Sequence, residues 1–142
     1  MEVGQCLPLL FPIIKPIKIL KMKKILIVDD EPNIVMALEY TFKKNNFEVF
    51  IARDGQEALD ILKKQQPDII ILDVMMPNVD GFETLKQIKK DERLQHCKVL
   101  FLSAKNKEKD IEKGLELGAN LYVVKPFSVK KLVEQVHELL NS

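Results

Sequence analysis

Between Ile69 and Asp73 four apolar residues run without interruption and end on a carboxylate, and Pro77 and Gly81 punctuate the segment that follows. A run this short, bounded by turn-forming residues, suits a strand covered on both faces. Four further runs repeat the design, at 24–28, 47–52, 98–102 and 121–124, and each is followed by a helical pattern. Strict alternation of short apolar strands with helices implies a parallel sheet with helices on both faces. The fold class is therefore α/β, a doubly wound five-stranded parallel sheet. A chain of 142 residues has room for one such domain and little more.

The helices carry their own punctuation. Pro32 suits a first helical turn, and Ile34, Leu38 and Phe42 recur at helical spacing up to Asn45-Asn46. Asp54 is placed to cap a helix bearing Ala58, Ile61 and Leu62, which must end before Pro67. Asp80 caps the next, with Phe82, Leu85 and Ile88 inward. A more polar helix over roughly 107–117 turns Ile111 and Leu115 inward and stops at Gly118. Ser128 caps the last, whose Val129, Leu132, Val133, Val136 and Leu140 form the clearest amphipathic stripe.

Aligning the strand ends exposes the chemistry. The first strand ends in Asp29-Asp30-Glu31, the third in Asp73, the fourth in Ser103 and the fifth in Lys125. In a parallel sheet all of these project at the carboxyl edge, where open α/β sheets bind ligands. Clustered aspartates repel one another unless something cationic sits among them. Oxygen-only ligands with one or two carboxylates describe a Mg²⁺ site. An aspartate can also attack phosphorus and form an aspartyl phosphate, a reaction that needs mostly positioning and charge neutralisation. Taken singly, each aspartate reads as a turn residue or cap, Lys125 as a solvated lysine and Ser103 as a turn former. Their shared place at strand ends is what caps alone would not require.

Other chemistries lack their residues. The five glycines make neither GxGxxG nor GxxxxGK[ST], and the acidic loop after the first strand would repel a nucleotide phosphate. No Gly-x-Ser-x-Gly is present, and His96 and His137 lie away from every strand end. A net charge of +1 offers no footprint for direct nucleic-acid binding. Cys6 and Cys97 stand alone, outside any zinc pattern, which fits a cytoplasmic protein and a core-facing Cys97.

At this point the chain resembles a two-component response-regulator receiver domain, stand-alone and chemotaxis-regulator-like. The likeness spans residues 23–141 and rests on Ile25-Leu-Ile-Val-Asp-Asp-Glu-Pro32, Leu72-Asp-Val-Met-Met-Pro77 with Asp80-Gly81, Leu102-Ser-Ala104 and Tyr122-Val-Val-Lys-Pro-Phe127. It implies the flavodoxin-like strand order 2-1-3-4-5. It makes Asp73 the phosphoacceptor, charged by a sensor histidine kinase, a histidine phosphotransfer protein or a small phosphodonor. Asp29, Asp30, Asp73 and the main-chain carbonyl of Met75 would hold Mg²⁺, and Lys125 would hold the phosphoryl group. Ser103 would be the switch hydroxyl and Tyr122 its aromatic partner, with a cis Lys125-Pro126 bond. Apolar Met75 cannot orient an attacking water, so self-dephosphorylation is expected to be slow to moderate.

Residues 1–21 differ in composition from the rest. Pro8, Pro12 and Pro16 interrupt an apolar stretch too short to span a bilayer, and no early basic residue marks a signal peptide. They are expected to be a disordered extension or the product of an upstream start, with the receiver domain over 22–142 and no membrane insertion. The expected function is a phosphorylation-dependent switch that controls a downstream protein through helix four, strand five and helix five. It would be no enzyme beyond catalysing its own phosphorylation and dephosphorylation. The alternatives are an aspartyl-phosphate phosphohydrolase and a receiver fragment of a larger regulator.

Overall fold

A computed structural model describes residues 22–142, so the expectation for residues 1–21 lies outside the described residues. The elements alternate as β1 (Lys23–Val28), α1 (Pro32–Lys44), β2 (Phe47–Ala52), α2 (Gly55–Leu62), β3 (Ile69–Leu72), α3 (Gly81–Lys90), β4 (Lys98–Ser103), α4 (Glu108–Glu116), β5 (Leu121–Val124) and α5 (Val129–Leu140). A 3₁₀ turn, Glu92–Leu94, precedes β4. All pairings are parallel and the order is β2-β1-β3-β4-β5. The chain has the expected doubly wound, flavodoxin-like fold.

Alternation along the strands divides the core. Ile25, Ile27, Ile69, Ile71, Leu100 and Leu102 face Leu38 and Phe42 of α1 and Leu132 and Val136 of α5. Leu26, Val28, Ile70, Leu72, Val99 and Phe101 face the other layer, against Ala58 and Leu62 of α2 and Phe82, Leu85 and Ile88 of α3. The central strand β3 is buried at every position, so its apolar run shows no alternation.

The caps are those the sequence marks. Asp54, Asp80 and Ser128 each accept a hydrogen bond from the backbone N–H three residues on. Ser128→Ala is expected to cost about 1 kcal/mol. A lowered urea midpoint at unchanged slope would show it. Cys97 is buried just ahead of β4, as expected. One inward assignment differs: Leu115 is 45% exposed. The face that α4 presses on the sheet is Gly114, where a Cβ would sit 3.0 Å from ring carbons of both Phe101 and Tyr122. The helix packs too close for a side chain there, and Leu115 is carried outward.

Register then fixes the carboxyl edge. Val28 lies opposite both Ala52 and Leu72. The ladder continues one residue past the strands, since Asp73 N–H donates to the Val28 carbonyl at 2.9 Å and Asp29 N–H to the Ala52 carbonyl at 3.1 Å. Lys125 N–H donates to the Ser103 carbonyl at 2.9 Å. The residues at this edge therefore hang from sheet hydrogen bonds, not from a free loop.

Candidate functional site

Asp29 and Asp73 are buried at the sheet edge, and Asp30 beside them is exposed. One carboxylate oxygen from each of the three lies within 4.8 Å of the others. Lys125 reaches in from the end of β5. Its Nζ donates to Asp29 Oδ2 at 3.0 Å and to Glu31 Oε1 at 2.6 Å, and stands 3.6 Å from Asp73 Oδ2. The second oxygens of Asp29 and Asp73 take backbone donors. Asp29 Oδ1 accepts from Glu31 N–H at 2.9 Å, and Asp73 Oδ1 accepts a long bond from Met75 N–H at 3.4 Å. A crevice of about 280 Å³ opens here, lined by Asp30, Glu31, Asp73, Met75, Ala104 and Lys125.

The charge balance is incomplete. Burial pushes the Asp73 carboxyl up to about 6, Asp29 beside it adds to the rise, and Lys125 offsets only part. Burial acts to lower the Lys125 ammonium, but its bonds to Glu31 and Asp29 outweigh that and leave it raised. One lysine thus serves three carboxylates, with its longest contact to Asp73. An oxygen-only donor set of adjacent carboxylates, two buried and one at the mouth, with negative charge left over, fits Mg²⁺.

Ser103 is buried at the end of β4, and its Oγ accepts from Lys105 N–H at 3.1 Å. Tyr122 is half-buried, its ring centroid 5.7 Å from that of Phe101, and its hydroxyl donates to the Lys105 carbonyl at 2.8 Å. Lys105 is therefore the backbone link between the two residues expected to switch. Met75 is 57% exposed and lines the crevice. The Lys125-Pro126 bond is cis.

Asp29, Asp30, Asp73, Met75, Ser103 and Lys125 thus lie at or beside this edge, while Tyr122 stands within β5 opposite Phe101 and reaches the edge only through its bond to the Lys105 carbonyl. Sequence reasoning placed Glu31 in the acidic run but missed its bond to Lys125. The two are 94 residues apart in the chain, and they meet only because the Lys125 side chain reaches past the ends of β4 and β3, the strands between β5 and β1.

The family model for the response regulator receiver domain matches residues 25–137. Over 119 residues the chain is 43% identical to the alkaline phosphatase synthesis transcriptional regulatory protein PhoP of Bacillus subtilis (strain 168), covering 84% of this chain and 49% of that protein. It therefore spans about half the length of that relative. Chemotaxis response regulator CheY4 of Vibrio cholerae superposes with a TM-score of 0.79 at 32% identity, covering 84% of this chain and 99% of that one. The receiver domain of the sensor histidine kinase PA1611 from Pseudomonas aeruginosa PAO1, solved with a magnesium ion coordinated in its active-site cleft, gives 0.78 at 26%, covering 86% and 100%. Fold and crevice define a receiver-type α/β domain with an acidic sheet edge. The chain belongs to the response regulator receiver family of two-component signalling.

Proposed function

We propose that this chain is a phosphorylation-dependent switch in which Asp73 accepts a phosphoryl group from a histidine kinase, a histidine phosphotransfer protein or a small phosphodonor. The observation that carries the reading is the set of three carboxylates within 4.8 Å of one another, with Lys125 against two of them. Asp73 Oδ attacks phosphorus as the donor's P–N or acyl P–O bond breaks, and the departing group keeps the bonding electrons. Asp29, Asp30, Asp73 and the Met75 carbonyl would hold Mg²⁺, which supplies charge neutralisation at the transferring oxygens. Lys125 takes the phosphoryl oxygens from the other side, and the buried Ser103 hydroxyl donates to one of them.

That last bond gives the switch a physical route. Ser103 Oγ now accepts from Lys105 N–H, and the Lys105 carbonyl holds the Tyr122 hydroxyl. Drawing Ser103 toward a phosphoryl group pulls on Lys105 and releases Tyr122. The surface of α4, β5 and α5 is thereby biased toward a second state that a downstream partner distinguishes. The phosphohydrolase alternative has no such support, because Glu31, two residues after Asp29, is engaged with Lys125.

The test is acetyl phosphate with Mg²⁺ or with a chelator. Phosphoryl incorporation is expected to require the metal and to fall sharply in Asp30→Asn, which alters an exposed ligand and leaves the core intact. Incorporation at the same rate in chelator would contradict the metal role. Met75→Asn places a polar group at the crevice mouth and is expected to shorten the phosphoryl lifetime several-fold. An unchanged half-life would refute the part given to Met75.

A further inference from the structure

Glu31 occupies the N-cap position of α1, yet its side chain makes no capping bond to the helix. A residue there ordinarily directs an oxygen at the free N–H groups of the first turn. Glu31 instead turns its carboxylate across the sheet edge to Lys125 Nζ at 2.6 Å, the shortest of that ammonium's three carboxylate contacts. Lys125 is only 11% exposed in its side chain, whereas Glu31 is 57% exposed. The contact thus ties a buried lysine to a carboxylate at the crevice mouth. Glu31 also lines both the crevice over Asp73 and the neighbouring cavity bounded by Ile34, Ala104, Pro126 and Phe127. It stands on the ridge between them.

We infer that Glu31 is a positioning residue that holds Lys125 back from Asp73 in the unphosphorylated chain, so that an incoming phosphoryl group must displace the Glu31 carboxylate to engage the lysine. The inference rests on Asp73 and Lys125 acting as proposed above. An ammonium has three donors, and here two are committed at 3.0 Å or closer to Asp29 and Glu31. A phosphoryl group on Asp73 presents new oxygens on the side where the lysine's contact is longest, at 3.6 Å. Binding there competes with Glu31, and the resting contact lowers the apparent affinity by the fraction of lysine it holds. A carboxylate this exposed makes a weak ion pair, so the expected effect is roughly two- to five-fold.

Two variants separate contact from charge. Glu31→Asp keeps the charge but is one methylene too short to keep the 2.6 Å contact, and Asp at an N-cap favours the helix. Glu31→Gln keeps the length and removes the charge. Beryllofluoride, a phosphoryl mimic, is titrated calorimetrically with Mg²⁺ into the full chain and each variant. Both variants are expected to bind it two- to five-fold more tightly, and to take phosphoryl from subsaturating acetyl phosphate faster by a similar factor. Tighter binding by Glu31→Gln alone would mean long-range charge and overturn the inference, as would no change in either. A wild-type chain that neither binds beryllofluoride nor takes a phosphoryl group would instead sink the phosphoacceptor reading itself.

Discussion

Replacing Asp73 by Asn will stabilise the folded chain at neutral pH, by about 1–3 kcal/mol. The Asp73 carboxyl is raised from its ordinary 3.8 to about 6, chiefly by burial and then by Asp29. A carboxyl whose folded value lies above its unfolded one binds its proton more tightly in the native state. Its favourable contribution is full below pH 3.8 and is lost as pH rises through about 6. Above that, the folded chain holds a charge it would hold more comfortably unfolded. Asparagine keeps the shape and removes that charge, and Lys125 retains Asp29 and Glu31 as partners. Urea unfolding of both proteins from pH 4 to 8 should therefore show a gap that widens through about pH 6 and then levels off. A variant that is less stable at pH 7.5, or a gap independent of pH, would contradict the electrostatics. Mg²⁺ should narrow the gap, because a ligand of the native state stabilises only the chain that binds it well.

Gly81→Ala is expected to destabilise the fold by about 2–3 kcal/mol and to slow phosphorylation of Asp73 at the same time. A Cβ at residue 81 would lie 2.2 Å from the Asp73 carbonyl oxygen and 2.8 Å from the Val74 Cα. Both obstacles are backbone, and both belong to the segment that carries Asp73. Gly81 N–H also donates to the Val74 carbonyl at 2.9 Å, closing the loop on itself. No side chain can rotate away to make room, so the loop or the start of α3 must shift. A shift of the loop would displace Asp73 from Lys125. Equilibrium unfolding and acetyl phosphate kinetics on one preparation test this jointly. Unchanged stability with unchanged kinetics would show that the loop yields without cost.

How much of this was legible beforehand depended on the kind of signal. Ile69 to Asp73 declared a buried strand ending in a carboxylate because an apolar run and its terminator are local. The caps at Asp54, Asp80 and Ser128 were legible for the same reason. Leu115 was misplaced because periodicity counts apolar side chains and cannot recognise Gly114 as the residue turned inward. The strand ends named Asp29, Asp30, Asp73, Ser103 and Lys125 as a group, since a parallel sheet gathers its carboxyl ends wherever they lie in the chain. Their distances were not legible, and neither was the partition of Lys125 among three carboxylates. The Lys105 bridge between Ser103 and Tyr122 was hidden too, because it runs through backbone atoms that carry no residue-specific mark.

The most direct test of Asp73 as phosphoacceptor is intact-mass spectrometry after incubation with acetyl phosphate and Mg²⁺, comparing the wild type with Asp73→Asn. The wild type should gain the mass of one phosphoryl group, labile to hydroxylamine as an acyl phosphate is, and Asp73→Asn should gain none. Equal incorporation in the two proteins would place the phosphoryl group on another residue and contradict the assignment of Asp73.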